Sequence, residues 1–250
     1  RTTHGARFVS DNAGIVAFDL PECLGRETWL FVEGHGYGVP ADGFGFRGVR
    51  VTPRSGGRLK IEVTRSNLAR RLGRITGGGI FGESQKLGLE PAWRESGVFG
   101  CDSVQAVEYH GRLFWMWGDT TLARYPLGVF HMTAARTEVR PLQPQPIPPI
   151  RLNYELFRDA EGQPRPVATM SGDGPTWLAG LIVLPDAKGR DHLVAAFAKI
   201  KPPLTAYETG LCAWDDQLER FAPVAIRWRA GAGQGGEKPP LMPDGHAVIA

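Results

Sequence analysis

From about residue 98 onward the apolar and polar positions alternate with the period of two that marks half-buried strands. Val104–Tyr109 and Arg112–Trp117 are two such runs, and they flank His110-Gly111. Two residues ending in glycine predict a type I′ hairpin, because that turn needs positive φ at both central positions. With this turn, positions whose numbers sum to 221 oppose each other, which sets Asp102 across from Asp119 at the end away from the turn. Directly opposed residues hold their Cβ atoms roughly 4.5–5.5 Å apart. The same period puts Trp115 and Trp117 on the face that Asp119 uses.

The alternation continues in groups of four. The first group is Val104–Tyr109, Arg112–Trp117, Leu127–Ala134 and, after the proline-rich PLQPQPIPPI, Arg151–Phe157. The second is TWLAGLIVLP, DHLVAAFAKI, ETGLCAWDD and RFAPVAIRW, joined by Asp186–Gly189, a Pro-Pro loop and Asp215-Asp216-Gln217. Four-strand meanders recurring at intervals of tens of residues predict propeller blades. The closing HAVIA is expected to open a third blade, and since two blades cannot close a ring the chain reads as a piece of something longer. In such blades the first-strand starts share one face with the loops between second and third strands. Asp102, the segment Asp119–Tyr125, Trp177 and Glu208 then fall on one face, and the turns His110-Gly111 and Asp186–Gly189 on the other.

Residues 7–66 have a different texture. ARFVSDNAGIVAFDL reads as a strand, an Asp-Asn-Ala-Gly turn and a second strand; TWLFVEGHGY as the next; FRGVRVTP and RLKIEVTR as a hairpin around Arg54-Ser55-Gly56-Gly57. This predicts a small β-sandwich. Glu33 and His35 at a glycine-flanked strand end read as turn residues. The runs around a D-x-x-G turn, followed by a strand ending in G-H-G-Y, resemble carboxypeptidase-regulatory-like β-sandwich modules, and the resemblance implies a noncatalytic accessory domain. Domains are therefore expected at 1–75, closed by a basic connector helix, and at 76–250. The fold class is all-β: a small sandwich followed by an incomplete propeller of four-stranded antiparallel blades.

Composition sharpens this only at a few points. Gly (33) and Pro (20) are plentiful, which suits many short strands joined by turns. No run of ~18 apolar residues exists, so no membrane insertion is expected. Residues 1–75 hold 12 Lys+Arg against 7 Asp+Glu, and 76–250 hold 17 against 19, so the basic excess is local. It peaks in RSNLARRLGR, whose spacing suits a short amphipathic helix with a solvated basic face. No interleaved aromatics support nucleic acid as a partner. RITGGGIFGES lacks the Lys of a phosphate loop. The three cysteines and six histidines are scattered singly, which argues against a disulfide framework and gives neither metal nor cofactor any support.

The run D-S-V … G-R-L-F-W-M-W-G-D-T, from Asp102 to Thr120, resembles the first blade of five-bladed-propeller glycoside hydrolases, nearest to the endo-D-arabinanase group. The resemblance implies that Asp102 and Asp119 act as general acid and base on a polysaccharide or oligosaccharide, and that the protein is secreted or periplasmic. The chemistry has a physical basis. Two neighbouring carboxylates cannot both ionise easily, so one has its pKa raised and can donate a proton. A separation of ~5–5.5 Å suits a retaining mechanism and ~6.5–9.5 Å an inverting one. Glu208 is a spare candidate for the acid, and Tyr125, His131 and Trp177 are candidates to stack on or hydrogen-bond a sugar. Two other readings stand beside this one: a noncatalytic propeller that binds glycan or protein in an extracellular assembly, and a β-sandwich that binds while the propeller acts as spacer.

Overall fold

The computed structural model describes residues 1–69, 71–129, 131–140 and 148–231, with backbone only for 125–129. Among the described residues the fold is all-β apart from one short helix and a single 3-10 turn, and the sheets are antiparallel and open. It divides into two compact units, Arg1–Arg74 with Gly79–Trp93 and Ile147–Ile150, and the remainder. No helix among the described residues is long and apolar enough to cross a membrane.

In the first unit the strands are short and pair as two ribbons. β1 (Thr28–Phe31) pairs with β3 (Gly48–Val51), and β2 (Tyr37–Gly38) with β4 (Thr64–Arg65). The aromatic and β-branched TWLF run is a good strand former. Several expected strands are absent here. Residues 6–18 contain the Asp11–Gly14 turn but no strand on either side of it. The turn at Arg54–Gly57 forms, with Gly57 N donating to Arg54 O at 2.9 Å, yet its flanks do not pair with each other. β3 is taken by β1 and only Thr64–Arg65 of the following run joins a ribbon, so local turn chemistry lost to pairing with more distant partners.

The expected basic helix is also absent: among the described residues 65–74 none is helical. A helix, α1 (Gly82–Lys86), lies in the stretch read as a plain connector. Asp11 explains its position. Its Oδ1 accepts Ala13 N and Ile15 N, and its Oδ2 accepts Ser84 N at 2.6 Å. Beside it Ile80, Phe81 and Trp93 form a small core with Ala13.

The second unit contains β5 (Val98–Cys101), β6 (Val104–Tyr109), β7 (Arg112–Trp117), β8 (Thr120–Leu122), β9 (Tyr125–Val129), β10 (Thr133–Glu138), β11 (Glu155–Leu156), β12 (Thr176–Pro185), β13 (Asp191–Lys201), β14 (Thr205–Asp215) and β15 (Arg220–Arg229). One four-stranded sheet has the order β11-β10-β7-β6 and another the order β12-β13-β14-β15, while β5-β8-β9 form a third of three strands. The first sheet differs from expectation in its third strand. The segment after Asp119 is no loop: β8 and β9 form a hairpin of their own, and the chain returns to the sheet only at Thr133. The HAVIA segment lies outside the described residues.

The two four-stranded sheets meet face to face. Tyr109, Phe114, Met116, Ala134 and Phe157 of the first bury against Leu178, Leu193, Ala195, Phe197, Cys212, Trp214 and Phe221 of the second. Phe114 stands edge-on to Trp214, 4.9 Å between ring centroids. Burial in this apolar layer pushes the Cys212 thiol up to about 12, so it acts as a small hydrophobe. Segment 165–170 is laced between the sheets, with Val167 N donating to Met132 O and Phe221 N to Val167 O. Gln105 of β6 bridges to β12, accepting Leu181 N at 2.8 Å and donating to Leu178 O at 3.4 Å. That stitch sits where β12 bulges between Ala179 and Ile182, and it satisfies backbone groups the ladder leaves unpaired.

Candidate functional site

The β6–β7 hairpin has the register that its turn dictates. His110 and Gly111 take φ of +50° and +70°, and Val104 pairs with Trp117 and Tyr109 with Arg112. The register runs on past the end of the sheet, where Cys101 pairs with Thr120 and Gly100 with Thr121. One long hairpin therefore passes from the four-stranded sheet into the three-stranded one. The corner between them is Asp102-Ser103 facing Gly118-Asp119, closed by Asp102 N donating to Asp119 O and Gly118 N to Ser103 O, both 3.2 Å. Ser103 takes φ of +22°, and a Cβ on Gly118 would lie 2.8 Å from Ser103 Oγ, so glycine is what lets this corner close. The acidic pair thus stands at a bend where a strand changes sheets, a position that redirects side chains away from the ordinary pleat.

The two acids have unlike surroundings. Asp102 is exposed, and its Oδ1 accepts Ser103 N at 2.7 Å. Asp119 is half-buried and its Oδ1 is out of reach of solvent with no hydrogen-bond partner. Burial raises the Asp119 pKa, and the charge of Asp102 raises it further. Two and four residues before it in the chain, Trp117 and Trp115 stack at 6.4 Å, with the Tyr154 ring edge-on to both at 5.0 and 5.6 Å. Trp117 Nε1 and Tyr154 OH are likewise buried without partners, whereas Trp115 Nε1 donates to Thr137 Oγ1. Buried polar atoms left unpaired cost about 1–3 kcal/mol each. Burial raises the pKa of Tyr154, with the nearby Cys101 adding to the effect, so Tyr154 keeps its proton as a donor. The Cys101 thiol is itself pushed up by burial and by Asp102, against a hydrogen bond with Thr76 that lowers it, which suits a bystander rather than a nucleophile.

The other sequence candidates fall elsewhere. Glu208 lies inside β14 rather than in the loop before it, because β13 and β14 run on to Lys201 and Thr205. There its Oε2 receives Arg229 Nε at 2.6 Å, which ties the side chain to the neighbouring strand. His131 is a clamp between backbone segments. Its Nδ1 accepts Thr176 N at 3.3 Å, and it is also hydrogen-bonded to the backbone of Ala168. A ring whose hydrogen bonds go to backbone on two sides has no edge to offer a sugar. Trp177 is half-buried as the second residue of β12, opposite Ala198. The side chain of Tyr125 lies outside the described residues. No group of three or more His, Cys, Asp or Glu side chains capable of holding a metal occurs among the described residues.

One residue that the sequence reading missed stands out by its burial. Lys199 is 1% exposed, and its ammonium donates to the carbonyls of Met170, Gly172 and Gly174 at 3.1, 3.0 and 2.8 Å. Positive φ at Gly172 (+97°) and Gly174 (+73°) bends the loop around it, and Tyr207 OH fastens the same loop by donating to Asp173 O at 2.7 Å. The signal in the sequence was a lysine inside the otherwise apolar DHLVAAFAKI. Compared with protein families, with curated proteins and with solved structures, the chain finds no match.

Proposed function

We propose that the second unit is built of propeller-type blades and that its Asp102–Asp119 corner performs paired-carboxylate acid/base chemistry on a glycan. The protein is then a glycoside hydrolase acting on an extracellular polysaccharide, in a secreted or periplasmic setting. Two face-to-face meanders whose first strands, β6 and β12, are stitched side by side by Gln105 support the blade reading. The two ribbons of the first unit support an accessory β-module, in which the expected sandwich is the finer reading.

The observation that carries the chemistry is the asymmetry of the pair. Asp119 is half-buried with a pKa raised by burial and by its neighbour, which suits a proton donor to a leaving oxygen. Asp102, exposed across the ladder, suits the partner that acts as base or nucleophile. Trp117 is 1% exposed and packs with Trp115 and Tyr154, so these rings support the corner from beneath. Glu208 is left out, since its carboxylate is held by Arg229 on the adjacent strand.

The test is a polysaccharide panel with reducing-end detection, run on the chain and on Asp102→Asn and Asp119→Asn beside a thermal melt. Loss of hydrolysis by roughly 10²–10⁴-fold with an unchanged melt supports the pair. Equal hydrolysis in both variants removes it. A noncatalytic binding propeller is the second reading, favoured by Asp102 serving its own corner through Ser103 N. Glycan binding without any hydrolysis would establish that reading instead.

A further inference from the structure

The opposite end of the two four-stranded sheets holds a cleft of about 570 Å³, lined by Tyr109, His110, Arg190, Asp191, His192, Trp214 and Asp216. Three turns converge there: the β6–β7 turn of one sheet and the β12–β13 and β14–β15 turns of the other. The cleft is shallow and open, with His110, Arg190, Asp191 and His192 exposed at its rim.

Its base is a fixed carboxylate. Asp216 Oδ2 receives Tyr109 OH at 2.7 Å and its Oδ1 receives Trp214 Nε1 at 3.1 Å. Both donors come from side chains about 6% exposed, yet the Asp216 side chain itself is 46% exposed, so its outer lone pairs face the cleft. Burial raises the pKa of Tyr109, followed by the hydrogen bond and charge of Asp216, and Asp191 adds to it, so the phenol stays protonated. Asp191 has no hydrogen-bond or ion-pair partner among the described residues. The ring of His110 is exposed and lies nearly parallel to that of Tyr109, 3.9 Å away, which leaves its outer face as a small flat platform. His192 uses Nε2 on Asp186 and keeps Nδ1.

These groups select a ligand class. The cations are already committed: Arg190 to Asp186, and Arg136 to Glu219 and Asp216. Two carboxylates at the cleft, Asp191 and Asp216, with no spare cation disfavour an anion. The charge of Asp216 is already matched by Arg136, so an ammonium ion would find only Asp191. What remains is a set of oriented acceptors, imidazole nitrogens and a flat ring face. That set suits a ring with several hydroxyl groups and one apolar face.

We propose that this cleft is a second, noncatalytic binding site for one neutral sugar ring of a glycan chain. It shares its ligand class with the glycan reading above but none of its residues. Binding here would hold a polysaccharide to the protein at the end of the sheets away from the acidic pair.

The experiment is a titration of the full chain, followed by backbone amide NMR shifts and calorimetry. The probes are neutral arabino-, xylo- and gluco-oligosaccharides, their uronic-acid counterparts, and an alkylamine. Shifts at His110, Asp191 and His192 with a neutral probe are expected. Asp191→Asn and His110→Ala should each weaken that binding about tenfold or more with an unchanged melt, and Asp119→Asn should leave it intact. Binding that survives both cleft variants, no shift at those residues with any neutral probe, or tighter binding of the uronic acid or the amine would overturn the proposal. Because hydrolysis is read separately, loss of binding in the cleft variants with hydrolysis intact, or the reverse, tells the two sites apart.

Discussion

Replacing Lys199 by Met keeps the buried aliphatic stem and removes only the ammonium. Three carbonyls then lose their shared donor. The Met170 carbonyl is the buried one, and Met170 itself is 8% exposed. Orphaning a buried polar group costs about 1–3 kcal/mol. The carbonyls of Gly172 and Gly174 belong to an exposed loop, where water can replace the ammonium, so each is expected to cost about 0.5 kcal/mol, the low end of a net hydrogen bond. Against this, the ammonium no longer has to be desolvated, a return that burial of this one charge makes appreciable. The carbonyls together lose about 2–4 kcal/mol, and the desolvation return brings the balance to a loss of about 1–3 kcal/mol. Urea unfolding followed by circular dichroism measures it as a lower midpoint at unchanged slope. Native-state hydrogen exchange should show the loss in β12 and β13 and not in the ribbons of the first unit. A destabilisation below about 0.5 kcal/mol would refute the reasoning, since it would mean that burying the ammonium costs as much as its three bonds return.

The pH dependence of stability offers a separate check through His131, whose pKa is lowered by burial and by the charge of Lys199, against a hydrogen bond with Ala168 that raises it. Below about pH 6.5 the unfolded chain takes up a proton that the folded ring resists, so stability is full above that pH and falls as pH drops toward the folded pKa. His131→Asn should flatten the slope of melting temperature between pH 7 and 5.5, and an unaltered slope would clear His131 of the role. Gly210→Ala should destabilise by about 1–3 kcal/mol, because a Cβ there would overlap the Ala225 carbonyl oxygen and crowd the Phe197 ring at 2.6 Å; a melt equal to that of the parent chain would contradict the close approach of β14 and β15. Asp11→Ala should unfold the first unit more readily, since it frees Ser84 N, Ala13 N and Ile15 N together, and limited proteolysis around α1 should detect it.

The local patterns were sufficient wherever an element could be specified by its own residues. His110-Gly111 needs two positive φ values and has a glycine to supply one, so it fixed the hairpin register, and with it the opposition of Asp102 and Asp119. The apolar runs of 176–229 were long enough to define four strands, although β14 begins at Thr205, ahead of Glu208 where its pattern was read to start. Where the pattern was short, partners at a distance decided. The residues around Gly56 had a good turn between two β-favouring runs, yet Gly48–Val51 paired with Thr28–Phe31 instead. The Arg-rich stretch had helical spacing but no apolar surface to lay it against, and spacing alone does not form a short helix in water. The site followed the same division. Alternation predicted one face for Trp115, Trp117 and Asp119, but only the sheet-changing corner at Gly118 left one acid exposed and the other half-buried. The fates of Glu208, His131 and Lys199 rested on Arg229, Thr176 and the 170–174 loop, each of them more than 20 residues away in sequence. A single chain read residue by residue carries its own dihedral preferences and periodicities; which carboxylate is neutralised, which ring is clamped and which ammonium is caged depend on neighbours that only the folded sheets bring together.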